Sequence, residues 1–218
     1  MSNFVYQPPQ TPWLELVYRD EHLLIVAKPS GLLTVPGKAA EHKDCVENRV
    51  KSVLPTARIV HRLDMATSGL LLMALDKGTQ GALGQQFERR EVSKVYRARV
   101  WGKLPQEEGS IELPLRCDWP NRPRQMVDHE QGKSALTHYK VQSRSQHYSD
   151  VLLFPVTGRS HQLRVHMWQS GCPILGDRLY GSPQSTQAAP RLLLHAEELR
   201  FSHPHSGEAC HFKLPANF

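Results

Sequence analysis

The residues of this 218-residue chain best suited to chemistry sit in two short polar clusters. The first is His61-Arg62-Leu63-Asp64, where a carboxylate lies two residues from a guanidinium and just ahead of the apolar run Leu70 to Leu75. A carboxylate at the edge of a core beside a cation can serve as nucleophile or base, and the same Arg-x-Asp arrangement also serves as a structural ion pair. The second cluster, Thr157-Gly158-Arg159-Ser160-His161-Gln162-Leu163-Arg164-Val165-His166, again follows an apolar run and opens a helix. Clusters at two strand ends can converge on one cleft, and the spacing leaves both the active-site and the ion-pair reading open.

Other chemistries find less support. His161 and His166 are five residues apart, about 140° around a helix, and cannot easily chelate one ion. Cys45, Cys117, Cys172 and Cys210 contain no Cys-x-x-Cys pair, which argues against a zinc ribbon and a disulfide framework and for reduced structural thiols. The glycines of Gly78 to Gly84 have neither the lysine of a P-loop nor dinucleotide spacing, and Ser68 lacks a Gly-x-Ser-x-Gly elbow. No metal site is expected.

The elements that must position the clusters are mostly strands. Leu23 to Ala27 is a short apolar run closed by Lys28-Pro29-Ser30-Gly31, a buried strand ending in a turn. Val46, Val50 and Val53 recur at helical spacing behind Asp44 as cap, and Thr79 to Glu91 is a second helix candidate. Val92 to Trp101 alternates, placing Lys94, Tyr96, Ala98 and Val100 on one face and Val95, Arg97, Arg99 and Trp101 on the other. Cys117 to Val127 is irregular and loop-like. Asp150 to Val156 is a strand, and Ser160 caps a helix with Leu163 and Met167 inward and Gly171 as terminator. Leu192 to His195, Leu199 to Ser202 and Ala209 to Leu214 are closing strands, the last two joined by the His205-Ser206-Gly207 turn. The pattern predicts an α+β fold on a large, mostly antiparallel sheet, as one domain over residues 1–218 with an N-terminal arm over 1–12.

Composition bounds the partners. With 39% hydrophobic and 22% charged residues the chain reads as soluble and globular. Its apolar runs fall far short of the ~20 residues of a membrane span. The N-terminus has no signal-peptide pattern, and a cytoplasmic location follows. Basic residues exceed acidic ones by six, with a pI near 9.3. Between Arg58 and Lys103 nine basic residues face four acidic ones, so nearly all the excess lies in the segment holding Asp64 and Tyr96. A polyanionic partner is expected.

The strings KPSGLLTVPG, HRLDMATSGLLLMA, SKVYRA, TGRSHQLRVHM with GCPILGDRLYG, and RLLLHA with FSHP resemble, in this order, the motifs of RluA-type pseudouridine synthases. The loop CDWPNRPRQ and the short N-terminus without an S4-type module are most similar to the A-type branch of that family. The resemblance implies a mixed, mostly antiparallel sheet with flanking helices and loops around a central RNA-binding cleft. It implies an isomerase that converts uridines within RNA to pseudouridine without a cofactor, acting on a hairpin loop of 23S rRNA and an anticodon stem-loop of tRNA, with no obligate protein partner. Asp64 then matches the family's ionised carboxylate, for which attack at C1′, addition at C6 and proton removal at C2′ are three possible roles. Arg164 matches the guanidinium that steadies it, and Tyr96 the ring that packs on the target uracil, although its strand face also suits a core tyrosine. Leu63 and Leu163 become apolar walls. Arg62 becomes the group that fills the space of a flipped uridine or holds a phosphate. Lys94, Arg89, Arg90, Arg97, Arg99, Arg122 and Arg124 become phosphate contacts, and Arg159 and His161 substrate-binding groups. Two other readings stand beside this one. A non-catalytic RNA-binding factor would not require Asp64, Tyr96 and Arg164 together. A glycosidase-like hydrolase would use two paired carboxylates, where one is evident.

Overall fold

The computed structural model describes residues 5–218, so the first four residues of the expected N-terminal arm lie outside the described residues. In chain order the elements are β1 (Glu15–Arg19), β2 (Leu23–Lys28), α1 (Val46–Lys51), β3 (Arg58–Ile59), β4 (Ser68–Ala74), α2 (Lys77–Glu88), β5 (Ser93–Trp101) and β6 (Glu108–Glu112). There follow β7 (Leu115–Cys117), β8 (Gln125–Val127), β9 (Leu136–Arg144), β10 (Tyr148–Pro155), α3 (Gln162–Gln169), α4 (Pro183–Gln187), β11 (Leu194–Ser202) and β12 (Ala209–Lys213). Strands outnumber helices among the described residues, as expected of an α+β fold. The chain forms two compact units: one runs to Val92 and takes back Glu198–Leu214, the other comprises Ser93–Glu197 and Pro215–Phe218.

In the first unit the strands lie in the order β1, β2, β4, β11, with β3 added to β4 and β12 to β11. The apolar runs read from the sequence are its centre. All seven residues of β4 are buried, and β2 pairs with it antiparallel from Leu23↔Ala74 to Lys28↔Gly69. A run apolar on both faces is stable only between two packed layers, and each fully buried leucine contributes roughly 1.5–3 kcal/mol. On one face Leu23, Ile25, Leu70 and Leu72 meet Leu83 of α2 and Leu199 and Phe201 of β11. α2 starts earlier than its apolar spacing suggested because Asp76 accepts from the Thr79 amide at 2.8 Å. α1 is capped by Cys45 instead of Asp44. The Asp44 carboxylate is already taken by Arg49, at 2.6 and 2.7 Å. Arg49 also holds the carbonyls of Pro9 and Trp13, which ties residues 5–13 to α1.

In the second unit the order is β11, β5, β10, β9, β6, and β5–β10, β10–β9 and β9–β6 are all antiparallel. Ala98 and Val100 are fully buried on the Tyr96 face of β5. On the other face Arg97 pairs with Glu197 and Arg99 with Asp150, each at 2.7 Å. Cys117 to Val127 is not wholly irregular: its ends pair as the hairpin β7–β8. The two expected closing segments merge into one continuous strand, β11, which starts only at Leu194, and the turn into β12 is made at Gly207, whose φ of +73° suits glycine. Ser160 does not cap α3. The cap position belongs to His161, at φ +53°, and the Gln162 side chain closes the turn instead. Its Oε1 accepts from the Arg159 amide and the Thr157 hydroxyl at 3.0 and 2.7 Å, while its Nε2 donates to Leu136 O and Thr137 Oγ1. The first six residues of α3 are buried, and the helix ends at Gly171, φ +74°.

Candidate active site

Asp64 sits in the loop between β3 and β4, and the segment after β2 fastens that loop at several points. Lys28 ends β2 with a side chain only 1% exposed. Its ammonium has three donors, and all three are used: on the carbonyls of Pro29 (2.9 Å), Leu32 (2.7 Å) and Met65 (3.0 Å). The Ser30 hydroxyl donates to Ala66 O at 2.7 Å and the Gly31 amide to Met65 O at 2.8 Å. Thr34 brackets Leu63, its hydroxyl donating to the carbonyl at 2.8 Å and accepting from the amide at 3.2 Å. The Thr67 amide closes the turn onto Asp64 O at 3.0 Å. The backbone on both sides of Asp64 is therefore fixed by groups of Lys28 to Thr34. Burial pulls the Lys28 pKa down from 10.5 to about 7, and the negative charge of Asp64 opposes that fall. Asp64 is half-buried, Leu63 buried and Arg62 exposed, so the loop turns its apolar residue inward and its cation to solvent.

In the second unit Arg164 lies on α3 with 6% of its side chain exposed and makes a bidentate pair with Asp177, with Nε–Oδ2 and Nη2–Oδ1 both 2.8 Å. Asp177 also accepts from the amides of Leu179 and Tyr180, at 2.9 and 3.1 Å. Burial pushes its carboxyl pKa up, but Arg164 and these amides outweigh it and hold it below the ordinary value. Tyr180 gathers the neighbouring groups. Its hydroxyl meets His161 Nδ1 at 2.7 Å and accepts from the Gln125 amide at 2.7 Å, and its ring lies 5.2 Å from the Arg164 guanidinium and 5.3 Å from that of Arg124. Tyr96 is half-buried on β5, opposite Leu153 of β10. Lys94, on the same face, has its pKa lowered by burial.

The remaining residues predicted to meet substrate divide by environment. Arg89, Arg90, Arg122 and Arg159 are exposed, Arg90 with φ +62° just past the end of α2. Arg159 Nε donates to Ser134 O at 3.1 Å. Arg97 and Arg99 are both engaged in the ion pairs with Glu197 and Asp150 within the second unit. Leu163 is buried. His166 is a core residue, fully buried between Thr137 Oγ1 (3.0 Å) and Leu113 O (3.1 Å). Lys28, Thr34, Asp177 and Tyr180 are the residues that sequence reasoning missed. All four fall in strings quoted for the resemblance, and for Lys28 the available signal was a lysine closing an apolar strand. Among the described residues one group has metal-ligating geometry, His22, Asp76 and His205, with ligand atoms within 4.8 Å of one another. Asp76 there is the cap of α2, and the His22 and His205 rings are stacked 3.5 Å apart.

Comparison with known proteins agrees with these motifs. The family model described as RNA pseudouridylate synthase matches residues 22–169. The chain is 54% identical over 214 residues to the dual-specificity RNA pseudouridine synthase RluA of Escherichia coli K12, covering 98% of both chains. It is 50% identical over 218 residues to the protein of the same name from Vibrio cholerae, covering 100% of this chain and 89% of that one. Among solved structures, human RNA pseudouridylate synthase domain containing 1 matches with a TM-score of 0.80 and 30% identity, over 97% of this chain and 87% of that one. No helix of the described residues is long and apolar enough to cross a membrane. The chain belongs to the RNA pseudouridine synthase family, and it is an isomerase that converts uridine in RNA to pseudouridine.

Proposed function

We propose that Asp64 is the carboxylate that drives the isomerisation, that Tyr96 and Arg164 act with it on a flipped uridine, and that the substrates are stem-loops of both 23S rRNA and tRNA in the cytoplasm. The observation that supports the Asp64 assignment best is the clamping of its loop by Lys28, Ser30, Gly31 and Thr34. A group that must meet one reacting atom gains from a backbone that cannot drift, since misplacement by about 1 Å can cost ~100-fold in rate. The dual substrate is supported by the identity of 54% to a relative named for dual specificity. The family match runs from residue 22 to 169 and includes parts of both compact units, which supports treating the chain as one catalytic module.

The reaction balances without an added oxidant or reductant. The N1–C1′ bond breaks, the uracil turns, C5 bonds to C1′, the C5 proton leaves and N1 takes one up. The target base must leave its stack, at a few kcal/mol, before any of this begins. In this reading Tyr96 offers a ring against the detached uracil, Leu63 and Leu163 form apolar walls, and His161 and Lys94 lie with the substrate. Arg62 occupies the vacated space, and the exposed Arg89, Arg90, Arg122 and Arg159, with Arg124, hold phosphates. The test is release of tritium from 5-tritiated uridine in 23S rRNA and in tRNA transcripts, with the product site mapped in each. Release from both supports the proposal, release from one narrows the substrate to that RNA, and release from neither contradicts it.

A further inference from the structure

The loop between β7 and β8 presents an exposed indole that the proposed chemistry does not use. Trp119 is 64% exposed, although a tryptophan contributes most when buried. The loop around it is braced. Asp118 N donates to Arg124 O (3.0 Å), Arg124 N to Asn121 O (3.0 Å) and Asn121 N to Asp118 O (3.1 Å). The Asn121 amide donates to both Asp118 carboxylate oxygens, at 3.1 and 3.0 Å. The Gln125 amide anchors the end of the loop on the Tyr180 hydroxyl at 2.7 Å. The exposed Arg122 guanidinium lies 4.6 Å from the Trp119 ring centre, and Arg124 lies 5.6 Å from the ring of Trp168. An exposed indole with a guanidinium over it on a braced loop, and a second guanidinium of the same loop against Trp168 of α3, combine a stacking surface with charges for the backbone that such a base brings along.

We infer that Trp119 and Arg122 form a nucleobase subsite, which stacks one unpaired base of the RNA loop other than the uridine being isomerised. The inference rests on the RNA reading proposed above. An unpaired base fits better than a paired one because only a splayed base offers its face; it takes the indole face opposite Arg122, whose guanidinium lies over the ring and supplies positive charge for that nucleotide's phosphate. Stacking of this kind contributes little to salt dependence, which comes from the phosphate contacts.

The test measures Kd and its salt dependence for one stem-loop RNA that the wild-type enzyme converts, and for a duplex of the same stem closed without loop bases. Trp119→Ala is expected to weaken stem-loop binding about 5- to 150-fold, the range of a single base–aromatic stack, with the salt slope unchanged. Trp119→Phe is expected to restore most of the affinity. Arg122→Ala is expected to reduce the slope of log K against log salt by about one. Abasic substitution through the loop is expected to find one position whose loss adds nothing in the Trp119→Ala variant. Wild-type affinity in Trp119→Ala, or equal weakening on stem-loop and duplex, would overturn the subsite. Failure of the wild-type enzyme to convert any RNA would instead overturn the substrate reading. Circular dichroism of each variant separates either result from misfolding.

Discussion

The buried ammonium of Lys28 donates to the carbonyl of Met65 at 3.0 Å, one residue beyond Asp64, and so ties the end of β2 to the loop bearing the carboxylate. Lys28→Met removes this bond and those to Pro29 and Leu32, so the Pro29 and Leu32 carbonyls lose this donor while Met65 O keeps only the Gly31 amide. A loss of about 1–3 kcal/mol in urea unfolding is expected, with a fall in single-turnover rate. The pH dependence has a definite sign. With a folded pKa near 7 against an ordinary 10.5, the unfolded chain binds a proton the folded chain lacks, so this group's contribution to stability rises with pH across that window. Wild type should therefore gain stability relative to Lys28→Met from pH 7 to 9. Parallel pH profiles would contradict it.

Thr34 makes both of its bonds to the backbone of Leu63, so Thr34→Val preserves shape while removing donor and acceptor. The expected cost is about 1–2 kcal/mol, because the Leu63 amide loses its acceptor. Its effect on kcat should exceed its effect on KM, since the change displaces the loop of Asp64 and leaves the RNA-facing cations alone. Steady-state kinetics on a stem-loop RNA separates the two.

Removing the carboxylate of Asp177 leaves the buried Arg164 guanidinium without its bidentate partner and two amides without an acceptor. Asp177→Ala is expected to lose about 3–5 kcal/mol of stability. Because the folded pKa of Asp177 lies below the ordinary 3.8, the stabilisation is complete above that pH and is lost as pH falls through the depressed value. Thermal unfolding of wild type and variant between pH 3 and 7 should therefore converge toward the acid end.

Arg62 is exposed beside Asp64, where a side chain can enter the space left by a flipped base. Arg62→Ala should raise KM for a structured stem-loop more than for a flexible oligonucleotide of the same sequence. Equal changes on the two RNAs would show that Arg62 holds phosphate alone.

Much of the fold was legible from periodicity. The runs at Leu23 and Leu70, the alternation of β5 and the Gly171 stop all appear where apolar spacing and turn chemistry placed them. The errors came from side chains with two possible partners. Asp44 is a good cap by type, but Arg49, five residues on, competes for its carboxylate. Ser160 is likewise displaced by Gln162, whose amide holds Thr157 and Arg159 nearby and also Leu136 and Thr137, which only folding brings close. At the candidate site the polar clusters were visible, whereas the support for Asp64 was not, because Lys28 and Thr34 reach it across about 30 residues of sequence. The ion pairs of Arg97 and Arg99 were equally hidden, since Glu197 and Asp150 lie far along the chain.

The role of Asp64 is tested most directly by tritium release from 5-tritiated uridine in a stem-loop RNA by wild type and Asp64→Asn, with binding of the same RNA measured in parallel. If Asp64 drives the isomerisation, wild type releases tritium, Asp64→Asn releases none above background, and RNA affinity in the variant stays within a few-fold of wild type. Release by Asp64→Asn at a rate near that of wild type would contradict that role.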